Sequence, residues 1–276
     1  MNLARMLAQR ESERQPVRVA VIGCGKFSTM YLTQARTTPG IHIVGIADLD
    51  LDRARANLQS AGWPQSQSDA GTIDAAITSG GTFLTEDAFA LIQDERIDVV
   101  VEATGIPHAG IRHCQSAINS GHHIVMVNVE ADVLAGPLLA EEARSAGTVY
   151  SMAYGDQPAL TAEQVEWARS CGFEVIAAGK GTKYLPAYHA STPDTVWDYY
   201  AARFTAEHAE ASGMNPKMFN SFIDGTKSGI EMTAVANATG LTPAPDGLTF
   251  PPCPVEELAS TLIPAADGGC LHHKGQ

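Results

Sequence analysis

Short apolar runs recur through the first half of the chain, each closed by a glycine or a polar turn: VRVAVIG (17–23), IHIVGIAD (41–48), IDVVVEAT (97–104), HHIVMVN (122–128) and TVYSMAY (148–154). Their apolar residues are largely consecutive rather than alternate. Such runs predict strands covered on both faces, as in a parallel sheet flanked by helices. Helical spacing between the runs agrees, over about 26–37, in DLDRARANLQSAG, and over about 85–95, 108–120 and 136–146. The small, polar stretch SDAGTIDAAITSGGT (68–82) reads as a loop or insertion, and Leu3, Met6 and Leu7 predict a short N-terminal helix packed on the body.

Beyond about residue 155 the texture changes. FEVIAAGKGTKYL (173–185) predicts a strand entering a basic, glycine-containing loop, and PAYHASTPDTVWDYYAARF carries five of the eleven aromatic residues of this half. NPKMFNSFIDGTKSGIEMTAVANATG (215–240) predicts one long helix, with Pro216 in its first turn and Gly240 at its end. The remainder is rich in proline and has no clear closing element. The expected fold is therefore α/β: a doubly wound parallel sheet over residues 1–154, an α+β substrate or catalytic domain over 155–241, and a Pro-rich segment over 242–276.

The sharpest local signal is VAVIGCGKFS, where Gly23 and Gly25 directly follow a strand and open a helix that starts Lys26, Phe27. The first glycine allows the tight turn, and the second lets a pyrophosphate approach the helix N-terminus, where free N–H groups favour anions. The third position of that fingerprint is Ser28 instead of glycine or alanine. Asp48 closes the second strand, placed to hold ribose hydroxyls, and Glu102, Ala103, Thr104 and Gly105 end a later strand on the same edge. Together these predict a Rossmann-type NAD(P) site, with Asn128 after the next strand as a further cofactor residue. Asp48 favours NAD, whereas Arg53 or Arg55 would pair with the extra phosphate of NADP, so both cofactors stay open.

Charge changes the picture in one respect. The 276 residues carry a formal charge of −13 and only 18% charged residues, so a polyanion is repelled and general nucleic-acid binding is excluded. No stretch approaches the roughly 18 apolar residues of a membrane span. Five cysteines without a Cys-x-x-Cys pair indicate neither a disulfide framework nor a zinc site. With no secretory or transit signal at the N-terminus, the cytoplasm is the expected location.

Lysine is distributed unevenly. Only six occur, none lies between 27 and 179, and four fall from 180 to 227. That clustering points to an anionic small-molecule substrate or to proton transfer. If 215–240 is one helix, Lys217, Asn220, Asp224, Lys227 and Glu231 fall within an arc of about 80° at roughly 100° per residue. The same stripe would also suit a solvated face of ion pairs. On the functional reading Lys183, Asp224, Lys227 and Glu231 are the catalytic candidates, polarising a carbonyl and moving its proton. His189, Ser191, Thr192, Lys217 and Asn220 are the substrate binders. Asp156, in YGDQP, either faces the nicotinamide or caps a turn.

The runs VIGCGKF, IVGIAD, VVVEATG, GHHIVMVNVEADVLAGP, YGDQP, KGTKYLP and STPDTVW, with the whole of 215–241, resemble the homoserine-dehydrogenase-like oxidoreductases that often carry a SAF-type C-terminal region. Within these the chain is similar to the DXR-like reductoisomerases. The resemblance implies NADPH-dependent conversion of 1-deoxy-D-xylulose 5-phosphate to 2-C-methyl-D-erythritol 4-phosphate, a step of isoprenoid precursor biosynthesis, with a divalent metal such as Mg or Mn. Asp224 or Glu231 would join the metal site, although no ligand spacing marks one. A homodimer is the expected assembly. Two departures matter: Val129 follows Asn128 where homoserine dehydrogenases place a catalytic lysine, and family members continue past the point where this chain stops. The alternatives are a dehydrogenase of another small sugar acid, or a shortened, non-catalytic dinucleotide-binding module.

Overall fold

The computed structural model describes residues 2–276 except 202, 204, 212 and 213. The chain forms two compact units, 1–154 and 155–276.

The first unit is an α/β fold of the Rossmann type, built on one six-stranded parallel sheet. Its elements are α1 (Leu3–Ser12), β1 (Val17–Ile22), α2 (Lys26–Ala35), β2 (Ile41–Ala47), α3 (Leu51–Ser60), α4 (Ile73–Ser79), β3 (Phe83–Thr85), α5 (Ala88–Ile92), β4 (Val99–Glu102), α6 (Pro107–Asn119), β5 (His123–Met126), α7 (Val129–Ala146) and β6 (Tyr150–Met152). The strand order β3-β2-β1-β4-β5-β6 makes the chain leave β1 in one direction and return to its other side. That reversal opens a crevice at the carboxyl ends of β1 and β4.

Alternate residues of one strand serve two cores. Val19 and Val21 pack with Leu32, Ala35, Ala54 and Leu58 from α2 and α3, while Ala20 and Ile22 pack with Ile92, Cys114, Ala117 and Leu139 from α5, α6 and α7. The β1–β2 register slips between Val19 and Ala20. Gly45 lies at that slip, where a Cβ would come within 2.5 Å of the Leu91 side chain.

Three local readings change. Residues 68–82 are not simply a loop: Thr72 caps α4 by accepting from Ala75 N at 3.1 Å, and Ile73 and Ile77 rest on the core. The short strand β3 follows. α1 forms, but Leu3 and Met6 remain exposed; its contact with the body is made through Leu7 and Glu11 at Gly40 instead, with Gly40 N donating to Glu11 Oε2 at 2.9 Å. α7 begins at Val129, well before the predicted 136, because the Asn128 side chain caps it.

Asp132 in α7 is buried and accepts the Tyr150 hydroxyl at 2.6 Å. Burial pushes its carboxyl above the ordinary range, against the opposing pull of that hydrogen bond. A carboxyl raised in the folded state stabilises below its unfolded pKa, and the contribution is lost as pH rises through the folded value. Asp132→Asn, which keeps an acceptor for Tyr150, should therefore raise stability at pH 7 by roughly 1–2 kcal/mol. Denaturant melts should show the gain disappearing in acid, where both side chains are neutral.

The second unit contains α8 (Gln157–Ser170), α9 (Val196–Tyr200), α10 (Ala206–Ala211), α11 (Pro216–Ile223), α12 (Thr226–Thr239) and α13 (Leu258–Thr261). α8 packs along α12. Residues 173–185 are not the expected strand: no neighbouring strand takes their hydrogen bonds, and the segment is tied to the last residues by Ala178 N to Gln276 O at 3.1 Å and Gly275 N to Ile176 O at 2.7 Å. Pro264 and Leu271 of this unit form an isolated bridge of the β type.

The predicted long helix over 215–240 is two helices. Gly225 adopts φ +93, and Asp224 accepts from Thr226 N at 2.8 Å and from Asn220 Nδ2 at 2.9 Å. The break invalidates a single wheel across the whole stretch.

Candidate functional site

The crevice of the first unit is built around the two glycines. Gly23 follows β1 with φ +93, and a Cβ there would lie 2.9 Å from Ala103 O and 3.0 Å from Thr104 Cα. Gly25 is the N-cap of α2 and has nothing within 4 Å of a built Cβ, which leaves open space before the first N–H groups of the helix. That combination suits an anion. Lys26 and Phe27 open α2 and are exposed. Ser28 replaces the third glycine of the fingerprint because its hydroxyl is satisfied internally, donating to Gly23 O at 2.5 Å.

Asp48 is mostly buried at the end of β2. Its carboxylate accepts from Cys24 N at 2.7 Å, Asp50 N at 2.9 Å and the Arg53 guanidinium at 2.7 Å. Burial and the neighbouring Asp48 push the Cys24 thiol up to about 11, so it is no nucleophile near neutral pH. Arg55 is engaged by Asp52 and Asp69, which leaves Arg53 as the arginine beside the acid. A carboxylate held this way has acceptor capacity left for ribose hydroxyls. Asp48→Ala should weaken NADH binding about tenfold or more by removing a charged acceptor, as a fluorescence titration would show.

The ends of β4 and β5 close the crevice. Ala103 N donates to Ile22 O at 2.8 Å, Thr104 Oγ1 donates to Glu102 Oε1 at 2.6 Å, and Gly105 turns the chain with φ +69. Asn128 is buried, and its Nδ2 donates to Ile106 O at 3.1 Å.

The second unit holds a cavity of about 380 Å³ lined by Asp156, Gln157, Lys180, Thr182, Phe222, Lys227, Ser228 and Glu231. Asp156 caps α8 by accepting from Gln157 N at 2.9 Å. Glu231 is 3% exposed and is paired with Lys180, which reaches it from the irregular segment before α9. The cavity thus gathers two ammonium groups, two carboxylates of which Glu231 is buried, the Gln157 amide, two hydroxyl side chains and one apolar wall, Phe222.

Of the predicted catalytic residues, Lys227 and Glu231 line this cavity, whereas Lys183 and Asp224 do not. Lys183 is exposed, and Asp224 is committed to the helix break. Among the predicted substrate binders, Lys217 and His189 are exposed, His189 meeting the Tyr184 hydroxyl at 3.2 Å. Thr192 forms a turn with Thr195. Ser191 and Asn220 are buried away from the lining, each with a side-chain oxygen lacking a partner. Sequence reasoning missed Lys180, Thr182 and Gln157; the lysine cluster was the available signal for the first. The metal implied by the resemblance finds no ligand set: among the described residues no three His, Cys, Asp or Glu are grouped to hold an ion.

The chain was compared with known proteins. A family model of the homoserine dehydrogenase NAD-binding domain matches residues 23–152, and one of the catalytic domain of oxidoreductase DRL matches residues 155–276. No curated protein matches the chain. Among solved structures, a homoserine dehydrogenase from Thiobacillus denitrificans superposes with a TM-score of 0.53 at 19% identity, covering 82% of this chain and 50% of that one. A myo-inositol dehydrogenase from Lactobacillus casei, in complex with NAD(H) and myo-inositol, gives 0.43 at 15% identity, with coverages of 66% and 50%. An NAD-binding oxidoreductase from Klebsiella pneumoniae gives 0.41 at 18%, with coverages of 57% and 39%. The chain spans about half the length, or less, of these structures. Residues 23–152 are thus similar to a homoserine dehydrogenase NAD-binding domain, and residues 155–276 to the catalytic domain of oxidoreductase DRL.

Proposed function

We propose that the protein is an NAD(P)-dependent oxidoreductase acting on a small anionic keto or hydroxy compound. The observation that carries this reading is the pairing of half-buried Lys180 with the buried carboxylate of Glu231, in a cavity that also presents Lys227 and Ser228. The first unit fits a dinucleotide, since the space before α2 is open at Gly25 and Asp48 retains acceptor capacity. When bound, the nicotinamide supplies or accepts the hydride. The chain's own residues do the rest. The Lys180 and Lys227 ammonium groups polarise the substrate oxygen, and Glu231 holds Lys180 and shares its proton. The first turn of α12, with Lys227 and Ser228, favours the anionic end of the substrate. Phe222 packs on its carbon skeleton.

Reductive isomerisation of 1-deoxy-D-xylulose 5-phosphate is the concrete candidate reaction, supported by the extended sequence resemblance and by the two lysines of the cavity. The test is oxidation of NADPH and NADH with that sugar phosphate and with a panel of small keto acids and sugar acids. Turnover with one of them, lost in Lys227→Ala, is expected. Dinucleotide binding without turnover on any of them would overturn the enzymatic reading in favour of a bare binding module.

A further inference from the structure

Glu102 is fully buried at the end of β4, where the neighbouring Val100 and Val101 show that an aliphatic side chain would pack. A carboxylate taken so completely out of water is costly unless it is used. Its Oε1 receives the Thr104 hydroxyl at 2.6 Å and meets His113 Nδ1 at 3.2 Å, while its Oε2 has no hydrogen-bond partner among the described residues. His113 comes from α6 and is braced by the Phe89 ring at 5.1 Å between centroids. Because the Thr104 hydroxyl points its proton at Glu102, its lone pairs face Asn128 Nδ2 at 3.4 Å and Ile106 N at 3.3 Å. Room for this chain comes from Gly110, where a Cβ would lie 2.7 Å from Asn128 Nδ2 and 3.0 Å from Glu102 Oε2. A line of polar groups thus runs from α6 through the core to the carboxyl edge of β4 and β5. There Gly23 meets Ala103 and Thr104 at the crevice.

We infer that Glu102 and His113 are a buried positioning pair, which fixes Thr104 and Asn128 at the floor of the crevice and so governs how the nicotinamide end is held. The inference rests on the reading of that crevice as a dinucleotide site. Neither residue of the pair touches the ligand; they act through Thr104, which is half-exposed at the edge, and through Asn128, which is buried beneath it.

The test is a fluorescence or calorimetric titration of the full chain with whichever of NADH and NADPH it prefers, and with the matching ADP-ribose, which lacks only the nicotinamide. Glu102→Gln should weaken the dinucleotide about tenfold, the scale of effect seen when an outer partner of a ligand-touching group is lost. ADP-ribose should bind as to wild type. Thr104→Val should reproduce the loss, Thr104→Ser should restore it, and the double variant should be no worse than either single change. Equal weakening of both ligands would assign the pair a purely structural role and overturn the inference, and unchanged dinucleotide binding would overturn it as well. If Glu102→Gln does not fold, the Thr104 pair decides alone. A wild-type chain that binds ADP-ribose and both dinucleotides with no measurable affinity would instead remove the dinucleotide reading, and the inference with it.

Discussion

Gly23→Ala should abolish dinucleotide binding and lower stability by about 2–4 kcal/mol, combining a left-handed backbone penalty with a clash against main chain. The residue sits at φ +93, and its Cβ would press on the carbonyl of Ala103 and the Cα of Thr104. Those atoms cannot withdraw cheaply. Ala103 N is bonded to Ile22 O and Gly23 N to Ala47 O, so the ends of β1, β2 and β4 are pinned to one another. Gly25→Ala is the informative contrast. Its φ is −85 and nothing lies within 4 Å of the new methyl, so the fold should be unharmed or slightly more stable. Yet the methyl would occupy the space that a pyrophosphate needs. Thermal melts and titrations of the two variants should therefore diverge: one loses fold and ligand together, the other only ligand. A Gly25→Ala protein that binds NADH as well as wild type would show that the cradle is misassigned.

The parts of this molecule that could be read from sequence are those whose cause is local. β1, β2, β4 and β5 announce themselves because a strand covered on both faces is apolar at nearly every position, and β6 because it lies within the longer run 148–154. β3, Phe83–Thr85, escapes notice because its three residues are flanked by Gly-Gly-Thr and Glu-Asp, with no longer apolar run around them. α4 is hidden by its small side chains, although Thr72 followed by Ile73 and Ile77 at helical spacing carries the signal. The break between α11 and α12 lies at an Asp-Gly pair, an ordinary turn signal that a continuous amphipathic pattern overrides on paper but not in space. The same contrast holds for the sites. Gly23, Gly25 and Asp48 stand out as candidates because close approach to a phosphate and acceptance from a ribose would each demand a residue type at a fixed offset from a strand. Lys180 and Glu231 are 51 positions apart, and nothing in the order of residues pairs them.

That pair yields the second large effect. Glu231 lies on α12 with its carboxylate almost wholly buried, and the Lys180 ammonium is its counterion. Lys180→Met strands a buried carboxylate and should destabilise the fold by about 3–5 kcal/mol. Lys180→Met combined with Glu231→Leu removes both charges. The double variant should recover most of that loss, because two apolar side chains of similar volume pack where an ion pair had to be desolvated. Turnover should behave differently. If the pair polarises the substrate oxygen and moves its proton, both the single and the double variant should lose about 10²–10⁴-fold in kcat, the usual contribution of a positioned acid or base. A structural pair predicts that stability and activity return together in the double variant; a catalytic pair predicts that stability returns and turnover does not. Urea melts alongside kcat for the four proteins of the cycle separate these outcomes, and activity regained by the apolar double variant would sink the catalytic assignment of Lys180 and Glu231.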